Sequence, residues 1–127
     1  MFEFDKSSRL LKSYEYQKVF ENGLKDVSKY FVIFGSKNDK SKKRLGLVVS
    51  KKVGNSVERN RVKRILREQF RLMRPDEELT TDFVVVARPG SKHVSSEEVK
   101  LRLKSSFSRI QKLVEKTSVK KTEVEKL

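Results

Sequence analysis

The sequence predicts a single α/β or α+β domain, and three observations carry that prediction. The chain has 127 residues, 35% of them hydrophobic, which fills one modest core and would starve two. Apolar residues recur at helical spacing in three stretches and as short β-branched or aromatic runs in three others. Glycine, proline or polar segments punctuate the passage from one stretch to the next. In chain order the elements read α-β-β-(β)-α-β-α, the bracket marking a short additional strand.

Residues 1 to 11 read as an irregular arm. Ser13 is placed to cap a helix over Tyr14 to Asn22, in which Tyr16, Val19 and Phe20 share a face and which Gly23 stops. Tyr30 to Phe34 suits a strand; the polar stretch Ser36 to Arg44 has the composition of a hairpin loop leading to a partner strand, Leu45 to Val49. The bracketed strand is expected at Ser50 to Val53. Asn55 and Glu58 form a capping-box start for a helix to about Met73, with Val62, Ile65, Leu66, Gln69, Phe70 and Met73 on one stripe and Pro75 closing it. After an acidic turn, Asp76 to Glu78, the run Phe83 to Ala87 is apolar at every position and is expected as a central strand covered on both faces. A loop, Arg88 to His93, leads to a second capping box, Ser95 with Glu98. It opens a long helix carrying Val99, Leu103, Phe107, Ile110 and Val114 in register. The domain is expected to span 1–115, with 116–127 a frayed or disordered polar tail. Leu11, Val19, Phe31, Phe70, Phe83 and Phe107 are assigned to the core.

The charge is the strongest functional signal. Thirty-one Lys and Arg against seventeen Asp and Glu give a net +14, which calls for a polyanionic partner, nucleic acid first. No apolar run approaches the roughly 20 residues that span a bilayer, and Glu3, Asp5, Lys6 and Arg9 interrupt the apolar residues at the start. The expectation is a cytoplasmic protein without membrane association. Without cysteine there is no disulfide, thiolate nucleophile or thiolate metal site, and the lone His93, expected to be merely solvated, cannot build a zinc site. No catalytic residue and no metal ligand is assigned to this chain.

Half of the excess charge lies between Lys51 and Arg74, where nine basic residues face only Glu58 and Glu68. On a helix, Arg59, Lys63, Arg67, Arg71 and Arg74 follow one another at steps of four and three, flanked by Asn60 and Arg64. Like charges so spaced repel by a few tenths of a kcal/mol per pair. Phosphates relieve that repulsion with a geometry suited to guanidinium forks.

The stretch from Gly46 to Glu68, with Arg59-Asn60-Arg61 at its heart, resembles the signature of the bacterial ribonuclease P protein family, whose RNR motif that triplet matches. The resemblance extends upstream through Arg9-Leu10, Tyr16-Gln-Lys-Val-Phe20 and Gly23, and downstream through Asp82 to Pro89, so that it covers roughly residues 9 to 114. Two positions depart from the family pattern: Tyr16 stands where Phe is usual, and Ser56 where Ala is frequent. Tyr16 keeps a stacking face.

The resemblance implies a two-layer α/β sandwich with a left-handed βαβ crossover, similar to a domain of a small-subunit ribosomal protein. It also implies the protein subunit of a ribonucleoprotein endoribonuclease (a hydrolase) that removes the 5′ leader of precursor tRNA. The catalytic centre and Mg²⁺ would belong to the RNA subunit, with no organic cofactor. The partners implied are the catalytic RNA and precursor tRNA, with no obligate protein partner. Carried onto this sequence, the leader cleft would use Tyr16, Phe20, Phe34, Ser50, Lys51, Lys52 and Arg88; the RNR helix would use Arg59, Asn60, Arg61, Lys63, Arg64 and Arg67. Composition fits two other classes. One is a ribosomal or RNA-chaperone protein, which only the motif separates from this reading; the other is a self-sufficient nuclease, disfavoured by the lack of a His pair or clustered carboxylates.

Overall fold

The computed structural model of the chain describes residues 9–10, 12–38, 42–72 and 81–125. Helix α1 (Ser13–Asn22) is followed by strands β1 (Leu24–Val27), β2 (Phe31–Lys37) and β3 (Arg44–Val48). Helix α2 (Ser56–Leu72), strand β4 (Thr81–Ala87), a 3₁₀ turn (Ser91–His93) and helix α3 (Ser96–Glu125) complete it. The mixed α+β domain is therefore as expected, with three helices on a four-stranded sheet. Met73, Pro75 and the acidic turn 76–78 lie outside the described residues, as do the arm before Arg9 and Leu11.

The sheet corrects two expectations. Its order is β1-β2-β4-β3, so β2 and β3 are not a hairpin: β4 lies between them, antiparallel to β2 and parallel to β3. β4, apolar at every position from Phe83 to Ala87, wins the interior because it alone offers two buried faces; Phe83, Val84 and Val85 are fully buried. The antiparallel hairpin is instead β1–β2, and β1 is the extra strand. Ser50 to Val53, where that strand was expected, is a turn closed by the Val53 amide donating to the Ser50 carbonyl at 3.0 Å. β3, α2 and β4 form the parallel βαβ unit to which the expected crossover refers.

Helix ends follow local chemistry. Asn55 and Glu58 exchange both capping-box bonds at 2.9 Å, as predicted. Ser13 is not the cap of α1: Lys12 holds that position, its amide donating to the Glu15 carboxylate at 3.0 Å. Ser95 does cap α3, accepting from the Glu98 amide at 3.2 Å. The α3 backbone is helical to Glu125. From residue 116 onward the chain has no Gly or Pro to break the helix, and its Lys and Glu are good helix formers even without an apolar stripe. Among the described residues no helix is long and apolar enough to cross a membrane.

The main core lies on one face of the sheet, and α1 packs across part of the other. α2 and α3 bury Val62, Leu66, Phe70, Leu103, Phe107 and Ile110 against Phe31, Ile33, Phe83 and Val85. Phe70, Phe83 and Phe107 meet edge to face at 5.1–6.3 Å between centroids. The opposite face holds a smaller cluster, Leu10, Val19 and Val84, under α1.

That second face is ordered in cross-strand rows by the register. Arg44, Asp82 and Ser36 form the first; Gly46, Val84, Phe34 and Lys25 the second; Val48, Val86, Val32 and Val27 the third. α1 lies across the second row: the Tyr16 ring against Gly46, Val19 clustered with Val84, Phe20 on Phe34. Its ten residues span about 15 Å, close to the width of four strands.

Arg44 fixes the first row. Its guanidinium donates to Asp82 through Nε (2.8 Å) and Nη2 (2.7 Å) and reaches Glu15 of α1 through Nη1 (2.6 Å). The Asp82 hydrogen bonds raise the Arg44 pKa further above its ordinary value, with Glu15 adding to the effect. Asn38 donates to the same Asp82 carboxylate at 2.6 Å. Replacing Arg44 by Met removes the guanidinium shared by two poorly solvated carboxylates and is expected to cost about 3–5 kcal/mol in urea unfolding; a loss below about 1 kcal/mol would show the network to be dispensable.

Lys43 closes the C-terminal turn of α2. Its ammonium donates to the Phe70 carbonyl at 2.5 Å and sits 4.6 Å from the Phe70 ring centroid. Those contacts favour the charge, but desolvation prevails and lowers the pKa from 10.5 to about 8. Between these values the unfolded chain holds more proton than the native one, so the Lys43 contribution to stability rises with pH across that window. The difference in unfolding free energy between the parent and Lys43→Met should therefore grow in favour of the parent from pH 8 toward 10.5; a difference flat with pH refutes this.

Candidate nucleic-acid interface

The site grows from the partial cover that α1 gives its face of the sheet. Phe20 is 39% exposed and meets Phe34 edge to face, centroids 4.9 Å apart and planes at 83°, so that part of its ring stays open to solvent. Tyr16 is held more firmly. Its hydroxyl donates to the Leu10 carbonyl at 3.2 Å, and a Cβ added to Gly46 would lie 2.5 Å from its ring, so glycine makes the seat. Leu10 in turn donates its amide to the Leu45 carbonyl at 3.0 Å, laying Arg9 and Leu10 along the outer edge of β3. Tyr16 thus walls the groove and anchors Leu10, whereas Phe20 is the more exposed ring.

The third row is only partly covered, with Val48 and Val86 packed against the cluster under α1. Val48, Val86 and Val32 are only partly buried, and Val27 is 57% exposed. Beyond this shelf, at the ends of the parallel strands β3 and β4, stand Ser50, Lys51, Lys52 and Arg88, all exposed. The cleft residues named from the sequence are thereby brought to the two sides of one groove: Tyr16, Phe20 and Phe34 on one, and these four on the other. Arg88 also braces the rim. Its Nη1 donates to the Ser28 carbonyl at 2.9 Å and its amide to the Tyr30 carbonyl at 2.8 Å. Gly90, at φ 97°, supplies the left-handed turn that follows. His93 is exposed, as expected.

The helix that carries the RNR triplet splits its residues. Val62, Ile65, Leu66 and Phe70 face the core. Asn60, Arg64, Arg67 and Arg71 are exposed and, with half-buried Lys63, occupy an arc of about 100° on the outer surface. Arg59 is half-buried, and its Nε is enclosed without a hydrogen-bond partner among the described residues. Arg61 lies on the α3 side, its Nη1 3.4 Å from the Lys92 carbonyl and its Nη2 3.5 Å from the Ser96 hydroxyl. Arg59 and Arg61 therefore flank the arc on opposite sides, because a step of two on a helix turns the side chain through about 200°. Glu58 does not neutralise the arc: its carboxylate caps Asn55 and pairs with Lys92 at 3.2 Å, and the Asn55 amide, then Lys92, hold its pKa below the ordinary value.

Sequence reasoning did not find the valine row or the Arg44 network. Both depend on the register between strands far apart in the chain, and β1 offers only Leu24 and Val27 as apolar signal. Among the described residues no three carboxylates or imidazoles come together as a metal-binding group.

Comparison with known proteins agrees with this architecture. The sequence profile of the ribonuclease P family, described as Ribonuclease P, matches residues 4–111. The chain is 42% identical over 104 residues to the ribonuclease P protein component of an Exiguobacterium species, covering 82% of this chain and 90% of that one. To the corresponding protein of Lachnoclostridium phytofermentans it is 43% identical over 93 residues, 73% and 80% of the two chains. A solved Staphylococcus aureus RNase P protein, a mutant with defective mRNA degradation activity, superposes with a TM-score of 0.70 at 31% identity, covering 87% of this chain and 90% of the other. The Thermotoga maritima RNase P protein gives 0.65 at 28% identity, covering 82% and 96%. Profile, relatives and solved structures coincide over nearly all the described residues, and the chain belongs to the ribonuclease P protein family, the protein components of a ribonucleoprotein endoribonuclease.

Proposed function

We propose that this subunit holds the catalytic RNA against the outer arc of α2 and receives the single-stranded 5′ leader of precursor tRNA in the groove between α1 and the basic rim. The observation that carries the reading is the half-covered sheet face: an exposed Phe20 and an apolar shelf, with Lys51, Lys52 and Arg88 along one side. Aromatic and apolar surfaces accept bases of any sequence, while the cations meet phosphates, so the groove suits a strand read for its single-strandedness. The arc of Asn60, Lys63, Arg64, Arg67 and Arg71 is convex and charged, which suits a folded RNA backbone. Arg59, half-buried, flanks the arc on one side, and Arg61 supports it from the α3 side.

Among the described residues no three carboxylates or imidazoles gather as a metal-binding group, and Asp82 and Glu15 are engaged by Arg44, Asp26 by Arg109, Glu58 by its cap and Lys92, and Glu98 by Arg102. The reading therefore leaves the metal ions and the cleavage chemistry to the RNA subunit, with this chain broadening substrate use by binding and orienting the leader. No observation favours the ribosomal or RNA-chaperone reading.

Phe20→Ala is expected to weaken holoenzyme binding of precursor tRNA by about 1–3 kcal/mol and to leave mature tRNA binding nearly unaltered; equal losses for both would remove the groove from leader recognition. Arg67→Gln should lower the slope of log affinity for the catalytic RNA against log salt by about one phosphate contact, measured by titration at several salt concentrations. An unaltered slope would take Arg67 out of the interface.

A further inference from the structure

Helix α1 is one wall of the groove, and two kinds of contact hold it to the sheet. Tyr16 on Gly46, Val19 clustered with Val84 and Phe20 on Phe34 are ring and apolar contacts, which set the height of the helix but tolerate sliding and tilting. Glu15 is different. Its Oε2 accepts from Arg44 Nη1 at 2.6 Å, and among the described residues it carries the ion pair between α1 and a strand. Its other oxygen, Oε1, accepts from the Lys12 amide at 3.0 Å and so secures the first turn of the same helix.

Arg44 is held so that this nitrogen has a set direction. Nε and Nη2 are both taken by Asp82 of β4, at 2.8 and 2.7 Å, and Asn38 donates to the same carboxylate at 2.6 Å. The sheet therefore fixes the guanidinium plane, and in a planar group the direction of Nη1 follows. The side chains are 15% exposed for Arg44, 14% for Glu15 and 8% for Asp82, so water competes weakly for the contact. Glu15 lies in the first turn of α1 and Phe20 five residues on, about 7.5 Å along the axis. A helix released at Glu15 carries its tilt to Phe20.

We propose that Glu15 and Arg44 are positioning residues: they touch no RNA and act by fixing the angle at which α1 presents Phe20 to the groove. The inference rests on the leader-binding reading. A stacking face is useful only where its support is rigid, since a ring set about 1 Å too loosely forfeits much of its contact. The adjoining Lys43 offers a contrast, because it serves the opposite face and donates to the Phe70 carbonyl in the C-terminal turn of α2. Two neighbours in the chain thus hold one helix each, and it is Arg44 that reaches the helix beside the groove.

The test is the ratio of holoenzyme affinities for precursor and mature tRNA. Glu15→Gln keeps an acceptor for the Lys12 amide and leaves Arg44 with Asp82, so the domain stays folded. It should lower the ratio several-fold, up to about tenfold, by weakening the precursor alone. Arg44→Lys, which keeps the charge but loses the fork, should do the same. In a Phe20→Ala background Glu15→Gln should bring little further loss, because the ring it positions is gone. Lys43→Met should leave the ratio at the parent's value. A Glu15→Gln ratio equal to the parent's, a loss that adds in full to that of Phe20→Ala, or the same fall with Lys43→Met overturns the positioning role but keeps leader binding. A parent that binds precursor and mature tRNA equally overturns both.

Discussion

The register of four strands on one face of the sheet is the constraint from which the rest follows. A period of two along each strand sends alternate side chains to opposite faces, and pairing aligns those that share a face into rows. Here one row holds charge, the next receives a helix, and the third is left open. The helix cannot cover more than one row, because ten residues laid across the strands reach from edge to edge but are only one helix wide. Shelter for a core and access for a ligand are therefore allotted by neighbouring rows of the same strands.

α1 itself is a lightly buried element, with Val19 as its fully buried apolar residue. It is positioned by contacts of different kinds at each step along its length: an ion pair through Glu15, a ring seated on Gly46 through Tyr16, and an aromatic pair through Phe20. Three dissimilar anchors define a direction as well as a height. A helix held only by an apolar stripe would be free to rock about its axis, and the opening beside it would have no set width.

Much of this could be read from the chain before folding. The RNR helix, its capping box at Asn55 and Glu58, the central β4 and the aromatic core all follow from local periodicity and chemistry. What escaped is what pairing decides. Nothing local to Tyr30–Phe34 or Leu45–Val49 says that a strand forty residues later will slip between them, since burial of β4 on two faces outweighs the short loop that would have favoured a hairpin. Likewise a Lys-Asp pair inside Leu24–Val27 conceals a strand that shows itself only through its pairing with β2. The triplet Arg59-Asn60-Arg61 was legible as a motif but not as three separate environments, because two arginines two apart on a helix must point in nearly opposite directions.

The outer strand has one more consequence. An open sheet edge invites another chain to extend it, and a protein with an exposed apolar shelf nearby is doubly at risk of sticking to its own kind. β1 is four residues long, bears Lys25 and Val27 on the open face, and turns Asp26 toward Arg109 of α3 on the other. So short and charged a border gives a second copy little backbone to match, which lets the apolar shelf stay uncovered in water without becoming a seed for stacking of like molecules.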